Sequence, residues 1–222
     1  MKGSDKGSPA SSLTRLFDAE REVRKVSAEL LRGKPKELLA AIRAAVVDAK
    51  KQREEEASLR LVRVASLLGE LDGPDAVDLL IDILDADAGE ARWAAGEELR
   101  DLAFDRFKEV ALGLERALKR LGPDAIALTE LPFVVAEIPE PGVAKLLGLF
   151  LAHANAEVVA AGLEAAVMLG DPRMIETFEK LLKDERLVHV EDEEGEGDDV
   201  TIGVLAADAI KMLEGGGDEG DA

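Results

Sequence analysis

The chain has 222 residues, 47% of them apolar, a formal net charge of −19 and no cysteine. That apolar fraction sets it apart from a disordered chain, and the missing thiols exclude disulfides, thiolate nucleophiles and zinc–thiolate sites. The charge opposes nucleic acid phosphate or anionic lipid as the main partner. Aromatics are only 3%, with no Tyr and one Trp. Abundant Ala, Leu, Glu, Lys and Arg favour helices over sheets. The charge is uneven: 15 basic and 10 acidic residues precede Ala65, so the remainder carries −24. A solvated acidic surface and a docking surface for a basic partner are both compatible with this imbalance.

In chain order, residues 1–12, MKGSDKGSPASS, read as a flexible Gly/Ser tail without the apolar core of a secretory signal. No apolar run approaches the ~18 residues that span a bilayer, so a cytoplasmic chain is expected. Leu13–Arg32 and Lys36–Glu56 are expected to form two long helices, making residues 13–58 an N-terminal helical cap. A dimerisation element is the competing reading, although no heptad is sustained. Beyond them, "LDGP" (Leu71–Pro74), "LGP" (Leu121–Pro123), "PEPG" (Pro139–Gly142) and "LGDP" (Leu169–Pro172) punctuate the chain. Each sets Gly near a helix end and Pro near the next helix start. Apolar residues between them recur at helical spacing, as in Val77, Leu80, Ile81 and Leu84.

Two segments superimpose without a gap, PDAVDLLIDILDADAGEARWAAGEELRDL from Pro74 and PGVAKLLGLFLAHANAEVVAAGLEAAVML from Pro141. Leu79 and Leu80 fall on Leu146 and Leu147, Ile83 and Leu84 on Phe150 and Leu151, and Leu102 on Leu169. A third copy starts at Pro172, but its second helix, containing AADAIKML (Ala206–Leu213), follows only after an acidic stretch. Paired helices repeating near 30 residues indicate a solenoid, because one pair cannot cover its own apolar face.

The stretches ARWAAGEELRDL (Ala91–Leu102), VVAAGLEAAVML (Val158–Leu169), AADAIKML and the degenerate VASLLGEL (Val64–Leu71) resemble second helices of the HEAT-repeat family. The likeness is to the short bacterial type found in bilin-lyase-related proteins. It covers roughly Leu59 to Leu213 and is loose between Phe104 and Glu140. It implies an all-α, right-handed HEAT-like α-solenoid of helix pairs over residues 59–213, with an N-terminal helical cap. It implies little about function, since such repeats serve many unrelated roles.

The acidic stretch, residues 184–202, separates the two helices of the last copy, where other copies have a turn of about six residues. Alternation in Leu187–Glu191 and Asp199–Ile202, with Gly195 and Gly197 between, predicts a short β-hairpin insertion. A calcium loop fits less well, because Gly203 occupies the twelfth position from Asp192, where a glutamate is needed. Thr201 is placed to cap the last helix. Residues 214–222 are expected to be a disordered acidic tail.

Catalytic signatures are missing from the sequence. The two histidines, His153 and His189, lie in different copies, and there is no His-Glu pair of the kind that HEAT-like hydroxylases use for iron. Serines have no elbow motif, and neither a Walker loop nor GxGxxG occurs. No catalytic residue, metal ligand or cofactor is therefore assigned. Aligned second helices put Glu97, Glu164 and Asp208 in one slot, with Ser66 in the degenerate copy. In HEAT architecture these helices line the concave face, where such a row would suit a Lys- or Arg-bearing segment; a merely solvated slot is the other reading. Trp93 is either a partner anchor or core filler, and Phe133 is most simply core. Glu191, Asp192, Glu193 and Glu194 in the hairpin complete the candidate partner-binding set.

The expectation is a non-enzymatic scaffold or adaptor in a bacterial cytoplasm, binding a basic or extended segment of another protein on its concave acidic face. The alternative is a lyase- or chaperone-like HEAT protein acting on a cofactor-bearing subunit.

Overall fold

A computed structural model describes residues 8–191 and 197–215. In chain order the helices are α1 (Pro9–Leu31), α2 (Pro35–Ala49), α3 (Glu54–Gly69), α4 (Pro74–Leu84), α5 (Gly89–Arg120) and α6 (Ala127–Ala136). Then come α7 (Val143–Leu151), α8 (Ala156–Leu169), a 3-10 turn at Pro172–Met174 running into α9 (Ile175–Glu179), and α10 (Ile202–Gly215). Between α9 and α10, β1 (Leu187–Glu191) and β2 (Gly197–Thr201) pair as an antiparallel hairpin. The chain is thus mainly helical with one small sheet, as expected. No described helix is long and apolar enough to cross a membrane.

The first half differs from expectation in three places. Helix α1 starts at Pro9 rather than Leu13, because the Ser8 side chain accepts from the Ser11 N–H at 3.2 Å and Pro9 opens the first turn. The second expected helix is two. The buried stripe of α2, Leu38–Ile42–Val46–Ala49, ends there, and Glu54, Glu55 and Glu56 form the first turn of α3, where carboxylates suit the helix dipole. The expected division between residues 58 and 59 therefore lies inside α3. Finally, α5 does not stop near Leu102. It continues to Arg120 across a break at Arg106 (φ −139°, ψ 48°). There the Arg106 guanidinium pairs with Asp72 and donates to the Leu71 carbonyl oxygen at 3.2 Å.

Neighbours in sequence are neighbours in space. Helix α5 packs on α3 and α4, α6 on α5 and α8, α7 on α8, and α10 on α8 and α9. The aligned apolar positions are buried alike: Leu79, Leu80, Ile83 and Leu84 in one segment, Leu146, Leu147, Phe150 and Leu151 in the other. One apolar core runs from Leu38 to Ala209. Helix α1 stands apart, with none of its 23 residues buried. Val23 and Leu31 of its apolar stripe are half-buried, and Leu31 packs against the core. Leu13, Leu16 and Phe17 continue the stripe, 51%, 55% and 54% exposed.

Helix ends follow local chemistry. Gly170 closes α8 at φ 67°, a left-handed conformation that side chains disfavour. Asn155 opens α8 by accepting from the Glu157 N–H at 2.8 Å, while its amide donates to the Pro123 carbonyl oxygen at 3.0 Å. Helix α6 runs through Pro132, which is buried, rather than ending at it. The second limb of α5 is bolted to α4 by Arg116–Asp78 and Arg120–Asp82 at 2.9 and 2.6 Å.

The hairpin is anchored at its base. Arg186 donates from Nε to Asp184 at 3.0 Å and from Nη1 to the His153 and Ala154 carbonyl oxygens at 2.9 and 2.7 Å. The hydrogen-bonded Arg186 guanidinium holds the Asp184 carboxyl below its ordinary pKa. Val188 plugs the core, His189 pairs with Asp199 at 3.1 Å, and Thr201 Oγ1 accepts from the Val204 N–H at 3.3 Å to cap α10.

Close approach between helices makes one glycine critical. A Cβ on Gly113, in the second limb of α5, would overlap Cγ1 of the fully buried Val77 on α4. Overpacking costs about 1–3 kcal/mol, against about 1 kcal/mol gained in helix propensity from Gly to Ala. Gly148 in α7 meets no atom within 4 Å at the same point. Gly113→Ala should therefore lower stability in urea unfolding, while Gly148→Ala should raise it by up to about 1 kcal/mol.

Candidate functional site: an apolar groove with acidic edges

Four helices that pack in succession turn one face each toward a common groove. Helical spacing places Trp93, Glu97 and Arg100 on the first limb of α5, Glu130 and Phe133 on α6, and Glu157 and Glu164 on α8. On α10 the same spacing presents Leu205, Asp208 and Met212. The main groove, of about 780 Å³, lies over α6, α8 and α10, with β1 as its end wall through Val188, His189 and Val190. A smaller hollow of about 250 Å³ adjoins it between α5 and α6, and Glu130 and Phe133 border both. The floor is apolar: Phe133, Val167, Leu205 and Met212 belong to it. Met212 is 63% exposed, so the floor ends at α10 in open apolar surface.

All three aligned carboxylates, Glu97, Glu164 and Asp208, thus line the groove region, Glu97 in the smaller hollow and the other two in the main one. Their electrostatic states differ. Glu97 is paired with Arg100 one turn along its helix, and Asp208 with Lys211 at 2.7 Å. Among the described residues, Glu130, Glu157 and Glu164 have no ion pair, so the uncompensated charge lies over α6 and α8. Arg100 Nε is buried without a partner.

Trp93 is 71% exposed, which overturns its reading as core filler and leaves a large aromatic surface at one end of the groove. Phe133 is half-buried on the floor rather than sealed in the core. Glu191 ends β1, whereas Asp192, Glu193 and Glu194 lie outside the described residues. Ser66, the counterpart in α3, is exposed and is not among the lining residues. Alignment missed two lining acids, Glu157 at the start of α8 and Glu130. Helix α6 carries Pro132 and lacks the small-residue pattern of the other second helices, so no register placed it. Its spacing to Phe133, one turn, is the only signal the sequence offered.

No set of three or more His, Cys, Asp or Glu is arranged for a metal among the described residues. His153 instead accepts from the Asn155 N–H at 3.1 Å. No family model matches the chain, and neither a curated protein nor a solved structure is significantly similar to it.

One acid behind the groove has a perturbed environment. Glu98 lies over Gly69, where a Cβ would collide with its carboxylate. Burial, reinforced by like charge from Asp101 and Glu70, raises its carboxyl above the ordinary value. A carboxyl whose folded pKa is raised binds its proton more tightly in the native state, so stability falls as pH rises from about 4.3 through the folded value. Glu98→Gln, which mimics the protonated acid, should match the parent chain near pH 4 and exceed it near pH 7 in urea midpoint. A pH-independent difference would remove this assignment.

Proposed function

We propose that the chain is a non-enzymatic scaffold or adaptor, a right-handed HEAT-like α-solenoid that holds a basic or extended segment of a protein partner in the groove. The supporting observation is a set of carboxylates, Glu97, Glu130, Glu157, Glu164 and Asp208, presented by four helices beside a shared apolar floor. Charged edges raise encounter rates and set register, while desolvated apolar contacts supply most of the affinity. A bacterial cytoplasmic setting is part of the same reading. The exposed Trp93 is the natural anchor at the α5 end.

A second reading, a lyase- or chaperone-like protein acting on a cofactor-bearing subunit, draws on the apolar floor instead of the carboxylates. It requires capture that tolerates salt and is lost in Phe133→Ala.

The two separate in a pull-down from bacterial lysate. The adaptor reading expects a salt-eluted set of proteins that is retained by the parent chain and lost by the Glu130→Gln/Glu164→Gln double variant. Retention of the same set at the same salt by that variant would overturn it.

A further inference from the structure

The adaptor reading leaves open how the groove takes hold of an extended segment, and the hairpin at its end bears on this. We infer that the occupant is a segment in β conformation that pairs with the free edge of β1 as a third strand and turns Lys or Arg, at alternate positions, toward α8 and α10. This rests on the adaptor reading and narrows it to recognition through the main chain.

The ladder register determines which backbone groups β1 has spare. Leu187 faces Thr201 and His189 faces Asp199, while the Ile202 N–H donates to the Arg186 carbonyl oxygen at 2.9 Å. That bond makes Leu187–Thr201 and His189–Asp199 non-hydrogen-bonded pairs of the antiparallel ladder. The N–H and C=O groups of Leu187 and His189 therefore point away from β2. No turn, loop or inter-element backbone bond among the described residues takes them up. Val188 and Val190 project from one face of the strand and His189 from the other. All three line the groove and no described residue of β2 does, so the groove meets β1 along this spare edge. The edge is open. The His189 ring is turned back across the hairpin, 3.1 Å from Asp199 and over Gly197, and Leu187 is 58% exposed. Neither Lys nor Pro, which guard many exposed edges, occurs in its sequence, LVHVE.

Side chains of an added strand alternate in step with those of β1. Every second one shares the face of Val188, whose burial turns that face toward the helices. An apolar floor with acidic edges suits Lys or Arg there, since the stem covers apolar surface while the charge reaches a carboxylate. Glu157 and Glu164 stand on α8, which packs on β1, and neither has an ion pair among the described residues. A second copy of β1 fits poorly, because it brings Asp198, Asp199 and a chain charge of −19 to an acidic groove.

The test uses the full chain and fluorescein-labelled (Val-Lys)4 read by anisotropy, beside two N-methylated forms, one methylated on every valine and one on every lysine. N-methylation of alternate residues strips the donors from one edge of a strand and leaves its charge and its other edge intact. Only one edge of the peptide faces β1, so one form should bind about tenfold or more weaker and the other within a few-fold of the parent peptide. On the protein, His189→Pro removes an edge donor without touching a ladder bond and should cost about tenfold. His189→Ala, which keeps the N–H, should change affinity by less than about threefold. Glu157→Gln/Glu164→Gln should weaken binding about tenfold and flatten its salt dependence. Equal binding by both methylated forms would overturn strand pairing and keep the adaptor reading. Loss in both would overturn it in favour of a helical segment, whose internal bonds need every N–H. A dimer in sedimentation that His189→Pro dissociates would give the edge to a second copy instead. Absence of binding by every peptide to a monomer would end the adaptor reading as well.

Discussion

A helix of ten to fourteen residues with an apolar stripe too wide for one neighbour has to find a second, and that requirement shapes most of this chain. Leu79, Leu80, Ile83 and Leu84 on α4 are sealed only because α5 lies over them, and α5 in turn leans on α3 and α6. Such mutual covering needs helix axes to come close. Small residues make this possible: Ala91 and Ala95 on α5, and Ala165, Ala166 and Gly162 on α8. Where a larger group would intrude, as at Gly113 against Val77, the side chain is reduced to hydrogen. The core is consequently continuous and aromatic-poor, with Phe150 and Phe178 its only fully buried rings.

The same covering rule explains what was readable from sequence. The copies at Pro74 and Pro141 were legible because like burial demands recur at identical spacing, and all four of their helices form, although the second helix of the first copy runs on past Leu102 to Arg120. The hairpin was legible from alternation around Val188, whose burial fixes which face of β1 turns inward. The break at Arg106 was not, because it has no proline or glycine; it depends on Asp72 and Leu71, thirty-odd residues earlier. The start of α3 was hidden for a related reason, since three glutamates look like a solvated continuation until their place in a first turn is known.

The candidate site was half visible. Repeat alignment supplied Glu97, Glu164 and Asp208, because equivalent positions on equivalent helices face the same way. It missed Glu130, since α6 has the position without the pattern. Nor did alignment weigh the four against one another. That depends on the residue one turn away: Arg100 follows Glu97 and Lys211 follows Asp208 at i+3, whereas no cation lies one turn from Glu130 or Glu164. The groove is thus less a uniform row than a charged centre between two buffered ends.

The break in α5 has a mechanical side. One continuous backbone carries the groove-lining Trp93 and Glu97 on one limb, while the other is clamped to α4 and presses Phe107 against Gly142 just before α7. No connecting loop intervenes to absorb a displacement. Both limbs lie against α4, Gly96 near Leu84 and Gly113 against Val77, so the turn at Arg106 joins two anchored stretches of one helix. The direction in which Trp93 and Glu97 leave that turn is thus tied to Arg106, a residue outside the groove lining, through its bonds to Asp72 and Leu71.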